Sequence, residues 1–131
     1  MLEVKDLYYQ PATSEKSVLN GIDLEVKSGE PVVISGNSGC GKTTLVEIIS
    51  GLATPQVGKI KLNENLLNGR QRRWLCGVVF QFPERHFLGL TVSQELRLGH
   101  RRISTEKQLE ILNRVGLNNI NLKEAPEKLS G

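Results

Sequence analysis

The sequence predicts an α/β domain in which a glycine-rich loop joins a buried strand to a helix, with an antiparallel β layer on its N-terminal side. Three observations support this prediction. Residues 36–43 combine three glycines with a lysine and a threonine, directly before a helical pattern. Two continuous apolar runs, residues 32–34 and 75–80, are typical of strands covered on both faces. Shorter segments of alternating polarity lie on either side of the loop.

The segments of alternating polarity form the predicted antiparallel layer. Apolar and charged residues alternate through residues 22–27, and the same period returns at residues 59–62, as expected for strands with one face in water. Residues 2–7 indicate an earlier and less regular strand. The polar segment 10–16 contains a proline and is predicted to be a connection.

Three helices are predicted around the apolar runs. The first carries apolar residues at positions i, i+3, i+4 and i+7 from Leu45 to Leu52, and it ends near Gly51. The second spans about residues 92–98.

The third predicted helix has signals at both of its ends. Thr105, with Gln108 three residues later, opens it, and Gly116 stops it. Its inward face is predicted to consist of Leu109, Leu112 and Val115.

Composition excludes several classes of protein. The chain has 131 residues, 17 Lys plus Arg against 14 Asp plus Glu, and a net charge of +3, so we expect a single globular domain. The longest stretches without charge are 11 residues, well short of the roughly 18 that a membrane span needs. No secretory leader opens the sequence, and Cys40 and Cys76 lack metal-ligand spacing, so we expect both thiols to be reduced.

The glycine-rich loop carries the chemistry. It matches the phosphate-binding pattern GxxxxGK[ST] without a gap, through Gly36, Asn37, Ser38, Gly39, Cys40, Gly41, Lys42 and Thr43. Glycines allow backbone N–H groups to form a concave nest at a helix N-terminus, where the helix dipole favours an anion. Lys42 is expected to reach the β and γ phosphates, Thr43 to hold Mg²⁺, and Thr44 to bond an α-phosphate oxygen. The alternative is a glycine-rich turn that only caps the helix.

Cys40 lies within this loop and has two interpretations. A thiol near a helix N-terminus can be more reactive than a buried one. The second interpretation, which we favour, is that this position accepts almost any residue because only its backbone amide is used.

Residues further along the chain point to one family of phosphate-loop proteins. Val79, Phe80 and Gln81 follow an apolar strand, and Leu129, Ser130 and Gly131 end the chain. In their order and spacing they resemble the Q-loop and the start of the LSGGQ signature of ATP-binding cassette (ABC) ATPases. The run from Phe80 to Phe87 is similar to energy-coupling-factor and cobalt-type importers and to related plastid and cyanobacterial half-subunits.

The resemblance implies a fold and a function. The fold is a P-loop NTPase with an incomplete RecA-like core and an N-terminal antiparallel β subdomain. The function is that of an ATP-binding subunit of a transporter, which couples Mg-ATP binding and hydrolysis to transport. The implied partners are a second ABC ATPase subunit and a transmembrane subunit, with the chain at the cytoplasmic or plastid stromal face of a membrane.

Site residues transfer from the family by position. Gln81 is expected to touch Mg²⁺ or the attacking water, and Ser130 and Gly131 to donate to the nucleotide of the opposite subunit. The family's adenine-stacking tyrosine falls on Pro11, which leaves Tyr9 or Tyr8 as substitutes, with Tyr9 preferred. The same likeness places the apolar residues beyond the Q-loop against a membrane partner, the alternative being ordinary core: Phe87, Leu88 and Leu90.

Some of the family's catalytic groups have no counterpart here. The family places an aspartate and a catalytic glutamate after the signature, on a strand between the two apolar runs, and a histidine beyond them. No aspartate follows Asp23 in this sequence. We therefore interpret residues 1–131 as the N-terminal portion of one ABC ATPase domain, from Walker A to the start of the signature, without Walker B, D-loop or H-loop. We expect such a chain to lack hydrolysis by itself and to be marginally stable, aggregation-prone or dependent on a partner.

Three other functions remain open. The first is a soluble ABC ATPase outside transport, for example of the iron-sulfur assembly type. The second is a GTPase or small kinase, although guanine recognition commonly uses a later aspartate. The third is a nucleotide-binding module without catalysis.

We do not expect the basic residues of this chain to bind nucleic acid. These arginines are predicted to form a solvated face, because apart from Trp74 no aromatic residues for base stacking lie among them: Arg70, Arg72, Arg73, Arg101 and Arg102.

Overall fold

The computed structural model describes residues 1–99 and 102–129. The chain divides into two units, Met1–Val78 and Val79–Gly131. None of the helices in these described ranges is long and apolar enough to cross a membrane.

A four-stranded antiparallel sheet forms most of the first unit. Its strands are β1 (Leu2–Tyr9), β2 (Leu19–Val26), β3 (Val57–Leu62) and β4 (Asn65–Leu66), in the order β2-β1-β3-β4. The central strand β1 pairs antiparallel with both β2 and β3. The predicted antiparallel layer and the predicted connection at residues 10–16 are therefore confirmed.

Strand β1 is irregular because a backbone distortion interrupts it. Asp6 has a positive φ of 52°, and its N–H donates to the Oδ1 of Asp23 at 2.7 Å. The pairing of β1 with β2 shifts register between Val4 and Leu7. Both of these residues are nevertheless fully buried.

Helix α1 (Lys42–Ile49) packs on one face of this sheet. Its side chains Leu45 and Ile48 join the buried sheet residues in one core. Leu52, which was expected on the same inward face, lies beyond the end of the helix and is exposed. The helix therefore buries Leu45 and Ile48 but not Leu52.

The C-terminal end of α1 is closed by glycine geometry, as predicted. The N–H of Gly51 donates to the carbonyl of Ile48 at 3.0 Å, and that of Leu52 donates to the carbonyl of Glu47 at 2.8 Å. These two bonds with Gly51 at φ +79° form a Schellman motif.

Two arginines from the next helix also bind this end of α1. Helix α2 (Gly69–Leu75) begins with a reciprocal capping box between Asn68 and Gln71. Arg72 donates from Nε to the carbonyl of Ile48 at 3.1 Å, and Arg73 donates from Nη1 to the carbonyl of Gly51 at 2.8 Å. Arg72 is buried, so its predicted place on a solvated face was wrong.

The two apolar runs do not form the predicted parallel strands. Residues 32–34 and 76–80 carry no strand, and Leu75 is the last residue of α2. Val33 is 88% exposed and Val79 is 86% exposed. A strand needs a neighbour to receive its backbone hydrogen bonds, and the described sheet consists of β1 to β4. Neither run therefore has a partner strand among the described residues.

The second unit is helical. It contains α3 (Val92–Leu96), α4 (Thr105–Arg114) and two 3₁₀ turns, Pro83–His86 and Pro126–Leu129. The start of α3 is tied to a later loop, because the N–H of Val92 donates to the carbonyl of Glu124 at 2.8 Å. The second predicted helix is therefore present but shorter than expected.

Helix α4 differs in detail from its prediction. Ser104, not Thr105, is the N-cap residue and accepts from the N–H of Lys107 at 3.3 Å. Gln108 is buried and donates to the carbonyl of Ile103. Of the three residues expected to face inward, Leu112 is buried, whereas Leu109 and Val115 are exposed. The end at Gly116 is as predicted: the N–H of Gly116 donates to the carbonyl of Asn113.

The exposed apolar runs predict self-association. Because the residues around Val33 and Val79 present apolar side chains and unpaired backbone groups, we expect the isolated 131-residue chain to associate as its concentration rises. Analytical ultracentrifugation over a range of concentrations tests this. A single cooperative melt whose midpoint does not depend on protein concentration would contradict the prediction.

The glycine at the end of α1 predicts a position-specific cost. A Cβ at Gly51 would overlap the carbonyl oxygen of Gly69, whereas Gly29, at a similar φ of +81°, has no atom within 4 Å of that position. Gly29→Ala should cost only the backbone strain, about 1–2 kcal/mol. Gly51→Ala should cost about 2–5 kcal/mol, since the overlap adds roughly 1–3 kcal/mol. Urea unfolding of both variants measures the difference, and equal costs would contradict it.

Candidate functional site

The predicted phosphate loop lies at the N-terminal end of α1, exposed along residues 36–40. The N–H of Cys40 donates to the carbonyl of Asn37 at 3.3 Å, which closes a turn inside the loop. Gly41 is the N-cap residue of α1. The structure therefore brings the predicted loop residues together at one helix terminus.

Close packing favours glycine at both ends of this loop. Gly41 has a φ of +95°, and a Cβ there would lie 2.9 Å from the Cγ1 of Val18 and 3.0 Å from the Cδ2 of Leu19. At Gly36 a Cβ would lie 2.8 Å from the Sγ of Cys40. Gly41 lets the loop approach the connection before β2, and Gly36 lets the loop fold back on itself.

Lys42 lies over the loop and has no acidic partner within residues 1–99 and 102–129. Its Nζ donates to the carbonyls of Gly36 and Asn37, each at 2.8 Å, and lies 3.7 Å from the Sγ of Cys40. Lys42 takes part in none of the ion pairs among the described residues. Its charge is therefore held at the loop by neutral acceptors and stays available to an anion.

The helix terminus adds to this positive field. The first turn of α1 contains no acidic residue, and no side chain caps it. The N–H groups of a first helical turn have no partner within the helix, and the helix dipole is positive there. Thr43 is exposed and Thr44 is half-buried in this turn. The arrangement of N–H groups, one ammonium and two hydroxyls suits a phosphate chain.

Tyr9 and Tyr8 lie on β1 in the same unit as the loop. Tyr9 packs against the core that contains Leu45 and Ile48, so it lies on the side of the sheet that carries α1. Tyr8 lies against Gly21, where an added Cβ would be 2.9 Å from its hydroxyl oxygen. Both tyrosines line an open cavity of about 490 Å³.

Gln81 lies in the second unit and is exposed. Two ring contacts order the residues around it. The rings of Phe80 and His86 stack with centroids 5.1 Å apart, and the guanidinium of Arg85 lies 4.8 Å from the centroid of the Phe82 ring. Nothing in the spacing of these residues indicated either contact beforehand.

The remaining predicted site residues have different outcomes. Ser130 and Gly131 lie outside the described residues. Phe87, Leu88 and Leu90 are 36%, 79% and 81% exposed, so the alternative that they belong to an ordinary core was wrong. The carboxylate of Glu95 holds their segment, because its Oε2 accepts from the N–H groups of Leu88 and Gly89.

Comparison with curated proteins reveals related sequences. A family model described as "ABC transporter" matches residues 19–131. The chain is 33% identical over 150 residues to ABC transporter I family member 11, chloroplastic, of Arabidopsis thaliana. That alignment covers 99% of this chain and 52% of the relative. It is 33% identical over 146 residues to the cobalt import ATP-binding protein CbiO of Syntrophus aciditrophicus, covering 100% of this chain and 50% of the relative. The chain thus spans about half the length of the curated relatives it matches.

Solved structures give the same result for the fold. The chain resembles cbiO1 from Clostridium perfringens, described as part of the ABC transporter complex cbiONQ, with a TM-score of 0.74, 26% identity, and coverage of 94% of this chain and 52% of that one. It also resembles a dimeric ATP-binding cassette bound to ADP and Pi, with a TM-score of 0.72, 25% identity, and coverage of 99% and 63%. These likenesses confirm the predicted fold class of a P-loop NTPase with an antiparallel β subdomain.

The two cysteines provide a chemical test of the loop. Cys40 is exposed in the loop, whereas Cys76 is half-buried, with its Sγ 3.9 Å from the carbonyl of Ile49. We expect a maleimide to label Cys40 faster, and Mg-ATP to slow the labelling of Cys40 but not that of Cys76. Mass spectrometry of each peptide measures both rates. Equal labelling of Cys40 with and without nucleotide would argue against the loop as the phosphate site.

Proposed function

Because the chain belongs to the ABC transporter family, we propose that it binds Mg-ATP in its phosphate loop as part of an ATP-binding subunit. In that subunit, ATP binding and hydrolysis are coupled to transport across a membrane. Nucleotide binding is a property of this family, and one of the similar structures is described as bound to ADP and Pi. The membrane association we propose is peripheral.

The position of Lys42 is the observation that carries the proposal. Its ammonium is held 2.8 Å from each of two loop carbonyls without a neutralising carboxylate. A compact cation at a helix N-terminus is suited to the β and γ phosphates, because both the charge and the dipole attract them.

The roles of the other site residues are part of the proposal. Thr43 is exposed on the first turn of α1, so its hydroxyl is available to Mg²⁺. Gln81 would contact the same ion or the attacking water. Tyr9 would stack on adenine, which its position on the α1 side of the sheet supports more than that of Tyr8.

The proposed partners are a second ABC ATPase subunit and a transmembrane subunit. Ser130 and Gly131 would donate to the nucleotide held by the second ATPase subunit. The exposed Leu88 and Leu90 supply an apolar surface for the membrane partner. Among the similar structures, one is described as part of a transporter complex and one as a dimer.

A second candidate function is nucleotide binding without catalysis. The observation that favours it is the absence of any aspartate after Asp23 in the sequence, so these residues supply no Walker B aspartate. We expect the isolated chain to bind nucleotide without turnover. Sustained release of phosphate from Mg-ATP by this chain would exclude the second function.

The proposal predicts the effect of removing the loop cation. Lys42→Ala should weaken Mg-ATP binding by about 100-fold or more, a loss of roughly 2.7 kcal/mol, because the phosphate chain loses its only side-chain cation in the loop. Isothermal titration calorimetry measures the affinity. Lys27→Ala, at an exposed position outside the loop, is the matched control and should change little. Equal affinity of Lys42→Ala and the unaltered chain would contradict the proposal.

A further inference from the structure

A second polar cavity lies in the first unit, apart from the phosphate loop. It has a volume of about 390 Å³ and is bounded by β3, β4 and the start of α2. The residues that give it its chemistry include two cations, two amides and two apolar side chains: Lys59, Arg72, Asn68, Gln71, Ile60 and Leu66. No acidic residue lines this cavity.

Arg72 is the feature of the cavity that requires an explanation. Its side chain is 6% exposed, yet its guanidinium contacts only two neutral acceptors, the carbonyls of Ile48 at 3.1 Å and Leu67 at 2.9 Å. Arg72 belongs to none of the ion pairs in the described part of the chain. A buried cation is ordinarily paired with an anion.

The guanidinium also has unused hydrogen-bonding capacity. Arginine has five N–H donors, and Arg72 uses one on Nε and one on Nη1. The second N–H of Nη1 and both N–H groups of Nη2 are left. Nη1 and Nη2 are the two terminal nitrogens, which together can bind an oxyanion through two parallel hydrogen bonds. Burial lowers the pKa of Arg72, and an anion beside it would offset this cost of desolvation.

The capping box turns the neighbouring amides into donors. The Oδ1 of Asn68 accepts from the N–H of Gln71, and the Oε1 of Gln71 accepts from the N–H of Asn68, both at 2.9 Å. Each amide oxygen therefore already accepts one hydrogen bond, and the two NH₂ groups remain available to donate. The polar side chains of the cavity thus offer donors and few free acceptors.

Lys59 supplies the second charge. It is exposed on β3 and, like Arg72, takes part in none of the ion pairs described for this unit. Lys61, two residues further along the same strand, is instead paired with Glu3 at 3.6 Å and does not line the cavity. Of the two lysines of β3, the one without an ion pair is therefore the one that lines the cavity.

We propose that this cavity binds an oxyanion, the phosphate or carboxylate group of a small metabolite, through Arg72, Lys59, Asn68 and Gln71. The volume is that of a typical small-molecule site, and the exposed Leu66 provides an apolar wall for the rest of the ligand. None of these residues belongs to the phosphate loop, so the site is independent of the proposed ATP binding.

The test uses the 131-residue chain carrying Lys42→Ala, which removes the cation of the phosphate loop. Inorganic phosphate and acetate are titrated separately at constant ionic strength, with chloride as the balancing anion, and the side-chain amide signals of Asn68 and Gln71 are followed by ¹⁵N NMR. We expect saturable shifts of both signals with at least one of the two anions, with a Kd on the order of 1 mM. Because Lys42 is already replaced, the anion titration does not depend on whether the phosphate loop binds ATP.

Variants separate the site from a structural role of Arg72. Replacing Arg72 itself removes donors from two backbone carbonyls and endangers the fold, so the test relies on its neighbours. Lys59→Gln should weaken the anion roughly 10-fold, and Asn68→Asp, which keeps an N-cap acceptor, should abolish binding by adding a negative charge. Lys61→Gln is the control and should leave the affinity unchanged. Shifts that fail to saturate with either anion, or that are equal in Lys59→Gln and Lys61→Gln, would overturn the proposal.

Discussion

Helix α1 is the element on which the first unit depends, because one short helix serves three purposes. Its buried side chains, Leu45 and Ile48, complete the core under the sheet. Among the described residues, they are the only helical members of that buried core. Its N-terminal end carries the phosphate loop, and its C-terminal end is closed by Gly51 and by two arginines. A change in how this helix packs on the sheet therefore moves the loop as well as the core.

The buried arginine shows how structure and ligand chemistry are linked in this unit. Arg72 fits the C-terminal end of α1 because the helix dipole is negative there and carbonyls are free to accept. Neutral carbonyls satisfy two of its N–H groups without cancelling its charge, and burial makes that remaining charge costly. The same reasoning applies at Lys42, where backbone carbonyls position a cation and leave its charge for a bound anion. Arg72 and Lys42 are thus both held in place by backbone carbonyls without an ion pair among the described residues.

The exposed apolar runs have a similar physical basis. Residues 32–34 and 76–80 have the composition of strands covered on both faces, yet they lie without strand partners and Val33 and Val79 are largely in water. Covering such residues stabilises a protein by about 25 cal/mol for each Å² of apolar surface removed from water. The chain spans about half the length of its curated relatives, and Val33 and Val79 are among its most exposed apolar side chains.

The sequence by itself determined the antiparallel layer, the phosphate loop and the glycine ends of two helices, because each follows from local rules: alternation, a gapless motif, and a residue without Cβ at positive φ. It did not determine whether the two apolar runs become strands, since strand formation depends on a partner. Nor did it reveal that Arg72 is buried, that Gln108 turns inward, or that Ser104 rather than Thr105 caps α4. These outcomes depend on which carbonyls and side chains are brought close in space, and only the tertiary structure decides that.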